Sequence, residues 1–256
     1  MSTNQRELGR AFDNADVVRN YLYRQPYPPE VFQILEGLMV APRTVLDAGC
    51  GTGALTIGLA RFAERVDAVD PSAAMLQEAR WLPGGDDPRI RWTQGTAESA
   101  PIVPPYGLIT AGASIHWMDP EVVMPRFRDA LAPGGVLAIV DSESLYAPQV
   151  WRTELLALIQ KFSPVTHHVG AVEFVQKLEE SGRFVREGES AVAPVEYVQS
   201  VNDYIAMLAS TSSLSRATLG NRATDFDDEA RTIFARHRMT SVRAEVVAAV
   251  VWGRPQ

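Results

Sequence analysis

The chain has 256 residues, 46% hydrophobic and 21% charged, which suits a globular protein of one domain with a cap or of two small domains. A net charge of −7 with only two lysines, Lys161 and Lys177, argues against a nucleic-acid partner; no apolar run approaches a membrane span; and the single cysteine, Cys50, excludes an internal disulfide and a thiolate metal cluster. The opening residues carry no apolar signal core, so the expectation is a cytoplasmic protein with no nucleic acid, no membrane and no metal, its oligomeric state left open.

Residues 10–40 read as helical, broken at Pro26-Tyr27-Pro28-Pro29. Apolar runs predict strands near 44–48, 65–70, 89–94, 107–113 and 135–141. Amphipathic spacing predicts helices near 54–63, 73–80 and 121–131 between them. This alternation is that of an α/β parallel sheet. Beyond residue 141, helices are predicted near 149–161 and 171–181, then a long strand over 184–198. Helical segments near 201–210, 214–221 and 226–238 lead to a last strand over 242–252. The adjacent His167 and His168 point apart on any regular element, which favours a surface loop over a metal site.

Residues 45–53 run from an apolar strand into a turn in which Gly49, Gly51 and Gly53 alternate. Without Cβ atoms the backbone can turn sharply and approach a ligand, and a helix N-terminus would follow. Gly49-x-Gly51-x-x-Ala54 meets a dinucleotide fingerprint loosely. Asp47, two residues before the first glycine, repels a pyrophosphate but suits an ammonium group. A second strand ends in Asp70, where a carboxylate can accept ribose hydroxyls or cap a helix.

The pattern Asp47-x-Gly49-x-Gly51-x-Gly53 resembles the first motif of class I S-adenosylmethionine-dependent methyltransferases. Asp70-Pro71-Ser72-Ala73-Ala74-Met75-Leu76, Gln94-Gly95-Thr96-Ala97-Glu98 and Leu131-Ala132-Pro133-Gly134-Gly135 resemble later landmarks of that family, in its order. Ser114-Ile115-His116-Trp117 and the lid-like Tyr21…Arg24-Gln25-Pro26-Tyr27-Pro28 resemble the trans-aconitate-methyltransferase-like group, with Arg24-Gln25-Pro26 in place of Arg-Pro. The resemblance spans roughly residues 10–141. It implies a Rossmann-like fold: a seven-stranded, mostly parallel sheet, its seventh strand antiparallel beside the fifth, with a helical lid and cap. The lid would be residues 1–40, the core 41–198 with 242–253 (149–170 partly cap), and a cap insertion 199–241. It also implies S-adenosylmethionine as cofactor and S-adenosylhomocysteine as product. Asp47, Gly49, Gly51 and Gly53 would hold the amino-acid end, and Asp70 with Pro71 the ribose. Met75 would lie against the adenine, framed by Thr96, Ala97 and Glu98, with Tyr21 and Ser114 as further cofactor contacts. Many relatives carry Asp at position 96, so either Thr96 or Glu98 takes the adenine amine.

Methyl transfer from a sulfonium needs alignment first, and a base only where the acceptor must lose a proton. His116, after the fourth strand, is the candidate base; an orienting contact or a core histidine are the competing readings. Glu30 is the candidate carboxylate to orient it, although a carboxylate there also suits a helix dipole. Tyr27, Trp117 and Trp151 are candidate substrate contacts, with Ser210–Ser213 nearby in the cap. The expected acceptor is planar, phenol- or indole-like, methylated on O, N or C. The alternatives are a carboxylate acceptor clamped by Arg24, as in trans-aconitate-type enzymes, and a non-catalytic cofactor-binding module.

Overall fold

The computed structural model describes residues 10–163 and 171–256, so His167 and His168 lie outside the described residues. After a 3₁₀ turn at Arg10–Asp13 come α1 (Ala15–Tyr21), α2 (Pro29–Leu38) and β1 (Thr44–Ala48). Next are α3 (Thr56–Leu59), β2 (Arg65–Asp70), α4 (Ala73–Trp81), β3 (Ile90–Gln94) and β4 (Tyr106–Gly112). A second 3₁₀ turn, Ile115–Trp117, precedes α5 (Pro120–Ala130), β5 (Leu131–Leu145), α6 (Val150–Phe162) and α7 (Ala171–Glu180). The chain finishes with β6 (Phe184–Ser200), α8 (Val201–Ala209), α9 (Arg216–Leu219), α10 (Arg222–Arg236) and β7 (Ser241–Pro255).

The seven strands form one sheet in the order β3-β2-β1-β4-β5-β7-β6. The first five pair in parallel, while β7 is antiparallel to both β5 and β6. Strand order reverses between β1 and β4, and in such sheets a ligand crevice opens there, outside the carboxyl ends of the strands. All of β1 is buried because both faces of a central parallel strand are covered. Its side chains alternate between faces: Val45 packs with Val66, Leu108 and Ala138, Leu46 with Ile109 and Leu137. No described helix is long and apolar enough to cross a membrane.

Helix starts follow local chemistry. The side chains of Asn14, Ser72, Asp119, Ser200 and Ser215 each accept a backbone N–H at the start of α1, α4, α5, α8 and α9. The helices expected over 214–221 and 226–238 run over Arg216–Leu219 and Arg222–Arg236, and two core elements also differ from expectation. The helix after the glycine turn, expected over 54–63, is regular only over Thr56–Leu59. The turn continues to Leu55 at one end; at the other, Arg61 and Phe62 bond three residues back and tighten the chain. Strand β5, expected over 135–141, extends to Leu145 because the polar run Ser142-Glu143-Ser144 pairs with Val246–Ala248 of β7.

One close approach fixes the base of the crevice wall. A Cβ on Gly107 would stand 1.9 Å from the carbonyl oxygen of Val40 and 2.3 Å from that of Pro42. Backbone cannot yield as a side chain does, so Gly107→Ala is expected to cost about 3 kcal/mol, read as a lowered urea midpoint. An unchanged midpoint would show that the α2–β1 connection moves freely.

Candidate functional site

The site is built where β1, β2 and β4 end. Gly49 and Gly51 adopt the left-handed region, with φ of +72° and +54°. At Gly49 a Cβ would lie 2.5 Å from the Cβ of Ser114, so glycine alone lets the β1 turn and the β4 turn meet. Ser114 seals that meeting by donating its hydroxyl to the carbonyl of Ala48 at 2.6 Å. It therefore acts on the turn's backbone. Gly51 donates its N–H to Oδ2 of Asp70 at 2.8 Å, and the ring of Tyr21 lies 3.8 Å from where its Cβ would be.

Asp70 is 9% exposed and its other oxygen accepts the N–H of Ser72. Burial pushes its carboxyl up, against the two backbone hydrogen bonds that hold it charged. Pro71 is exposed beside it. Ser72 both caps α4 and donates to the carbonyl of Phe12, tying the amino-terminal segment to this corner.

Asp47 is almost fully buried beneath the turn. Its oxygens accept from the hydroxyls of Thr56 at 2.5 Å and Thr110 at 2.9 Å. Burial raises its carboxyl to about 6, the threonine bonds opposing. The expectation that Asp47 itself grips a ligand is thereby modified: its charge lies below the turn, held by two hydroxyls. Thr110 stands out in sequence as the one polar residue in Leu108–Ala111, but Thr56 carries no signal.

On the adenine side expected from sequence, Met75 is buried against Val17 and Val18 of α1 and lies near Phe12 and Tyr21. It is a core contact between α1 and α4, because the amino-terminal segment covers it. Glu98 accepts the N–H of Asp119 at 2.8 Å and so braces the start of α5. Thr96 is exposed with its hydroxyl 3.1 Å from Ser99, and Ala97 is partly buried beside it.

Above the turn lie the lid residues. Arg24 donates Nε to Ser210 Oγ at 2.9 Å, one terminal nitrogen to the Ser210 carbonyl at 3.0 Å and the other to the Tyr21 hydroxyl at 3.2 Å. Its guanidinium also lies 4.1 Å from the centre of the Tyr21 ring. Arg24 is therefore a latch between lid and cap, and the free bidentate fork that a carboxylate clamp requires is already engaged. Tyr27 reaches the end of β4: a Cβ on Gly112 would meet its hydroxyl at 2.8 Å. Burial, with Tyr21, Asp47 and Asp141 nearby, pushes this phenol far up, so it remains an O–H donor at neutral pH.

His116 is partly buried in the 3₁₀ turn, its ring centre 4.9 Å from that of Trp117. Trp117 meets Phe12 edge-on at 5.7 Å, so it also supports the amino-terminal segment. Glu30 is exposed in the first turn of α2, and among the described residues no ion pair joins it to His116. The pairing expected from sequence is thus not formed; the helix-dipole role accounts for Glu30. Trp151, expected at a substrate wall, is buried in the cap instead, packed with Tyr146, Tyr204 and Phe234, its indole N–H donated to Gln149.

Residues 45–135 match the methyltransferase domain family. A Mycobacterium tuberculosis protein described as an uncharacterized methyltransferase is 35% identical over 142 residues, 55% of each chain. A trans-aconitate 2-methyltransferase of Delftia acidovorans is 43% identical over 107 residues, 38% of this chain and 37% of that protein. The chain spans about half the length of the curated relatives it matches first. Among solved structures, one assigned as a type II methyltransferase from Anaeromyxobacter dehalogenans aligns with a TM-score of 0.69 and 24% identity, covering 91% of this chain and 99% of that one. Residues 45–135 are thus a methyltransferase domain, set in a chain that shares the fold of that solved structure.

Proposed function

We propose that this protein transfers a methyl group from S-adenosylmethionine to a small, planar acceptor, phenol- or indole-like, on O, N or C. The observation that carries the reading is the junction of Gly51, Asp70 and Tyr21, a bare backbone turn between a buried carboxylate and an aromatic ring. These residues suit a cationic amino acid tethered to a ribose, since the turn leaves room for close approach and the site's fixed charges are carboxylates. The bound cofactor supplies an activated methyl with a neutral leaving group. Gly49, Gly51 and Gly53 would approach its amino-acid end, with Asp47 supplying negative charge from beneath. Asp70 would accept from its ribose, and Thr96 and Ala97 would border its adenine. The lid (1–40) and the cap insertion (199–241) would roof the crevice and exclude water. Tyr27 would orient the acceptor with its hydroxyl, Trp117 would flank it, and His116 would take the proton released from it.

Purified protein incubated with S-adenosylmethionine and a panel of phenols and indoles is expected to yield products heavier by one methyl. Cofactor binding without any product would favour the non-catalytic module. His116→Ala is expected to lower turnover at least about tenfold with S-adenosylhomocysteine affinity kept within twofold. Glu30→Gln should leave turnover unchanged. Full turnover in the His116 variant would remove it as a base. Methyl-ester formation on a dicarboxylate or tricarboxylate would instead favour the trans-aconitate-like alternative, towards which the sequence relatives lean.

A further inference from the structure

At the seam between lid and cap, Gln25 donates its amide nitrogen to Oε1 of Gln199 at 3.2 Å. Gln199 is 8% exposed, and its own amide nitrogen has no hydrogen-bond partner among the described residues. A buried amide N–H₂ without a partner is costly, so one retained at the lid–cap seam points to a ligand that completes it. The topology puts it on the correct side of the sheet. Strand β6 is antiparallel to β7 and β7 to β5, so β6 runs with β1, β4 and β5, and Gln199 stands at its carboxyl end. Gln25 lies between Arg24, which is latched to Tyr21 and Ser210, and Tyr27, whose hydroxyl reaches Gly112. The Gln199 amide thus stands unmatched at the lid–cap seam, at the end of the sheet where the crevice opens.

We propose that Gln199 is an acceptor-binding residue that donates to a carboxylate or carbonyl oxygen carried by the methyl acceptor away from the atom methylated. This deepens the methyltransferase reading and rests on it. It makes Gln199 a determinant of specificity: an acceptor lacking such an oxygen leaves the amide unmatched and binds less well.

The probes are 4-hydroxybenzoate, 4-hydroxybenzamide and 4-methylphenol, titrated by calorimetry into the full chain saturated with S-adenosylhomocysteine. The first two are expected to bind about tenfold or more tightly than 4-methylphenol, as befits one buried hydrogen bond. A carboxylate source is distinguished from a neutral carbonyl by which of the two binds tighter. Gln199→Leu should abolish the preference while S-adenosylhomocysteine affinity stays within twofold, which also reports that the variant is folded. If Gln199→Leu does not fold, Gln199→Glu serves: it should weaken 4-hydroxybenzoate more than 4-hydroxybenzamide. Equal binding of the three probes to the natural chain, no binding of any, or a preference that survives Gln199→Leu overturns the proposal. Failure of S-adenosylhomocysteine itself to bind would instead sink the methyltransferase reading.

Discussion

Asp70→Ala is expected to weaken S-adenosylhomocysteine binding at least about a hundredfold in calorimetry, with the chain still folded. Its two oxygens hold the N–H groups of Gly51 and Ser72, and through Ser72 the start of α4 and the amino-terminal segment. Hydrogen bonds to a charged group contribute roughly 1.5–3 kcal/mol each, and a hundredfold is about 2.7 kcal/mol. Loss of the Gly51 bond alone would release the crest of the turn. Loss of the ribose contact proposed here adds to it. Asp70→Asn keeps one acceptor oxygen and should fall between. Near-normal affinity in Asp70→Ala would place the ligand elsewhere on the molecule.

The second large effect concerns pH. The Asp47 carboxyl is raised to about 6 by burial, whereas an unfolded chain would leave it near 4. The folded state therefore binds this proton more readily than the unfolded one. The resulting stability is fully present below about pH 4 and is lost as pH rises from there through about 6, by roughly 3 kcal/mol in all. A ligand with an ammonium group favours the ionised form and opposes this loss. Affinity for S-adenosylhomocysteine should accordingly be level above about pH 6.5 and fall as pH drops below 6, approaching tenfold per unit. Binding near pH 6 should release a proton, visible as a dependence of calorimetric heat on buffer ionisation enthalpy. Asp47→Asn should bind weakly at all pH values and lose the slope. A natural-chain profile that is flat between pH 5 and 7.5 would show that Asp47 is not linked to the ligand.

The location of the crevice was legible in the chain itself. Alternating glycines after a strand and a carboxylate two residues before them are local patterns, and local patterns report local conformation. The same holds for β1, β2 and α4, whose apolar periodicity and serine cap mark their bounds. Roles that depend on a distant partner were not legible. Met75 reads as a ligand contact until α1 covers it. Glu98 reads as an adenine ligand from its turn alone, whereas in the fold one of its oxygens accepts the N–H of Asp119. Trp151 reads as a pocket wall until Tyr204 and Phe234 enclose it.

By itself the sequence determined the parallel α/β architecture, the glycine turn and the two carboxylates beside it, since periodicity and turn chemistry act over a few residues. Tertiary structure alone decided that Arg24 latches onto Ser210, that Glu30 stands apart from His116, and that Gln199 joins Gln25 at the lid. Arg24 and Ser210 lie 186 residues apart, and Gln25 and Gln199 lie 174 apart. Such contacts exist only once the sheet has been assembled, because a side chain's partner is chosen by where the strands deliver it rather than by its neighbours along the chain.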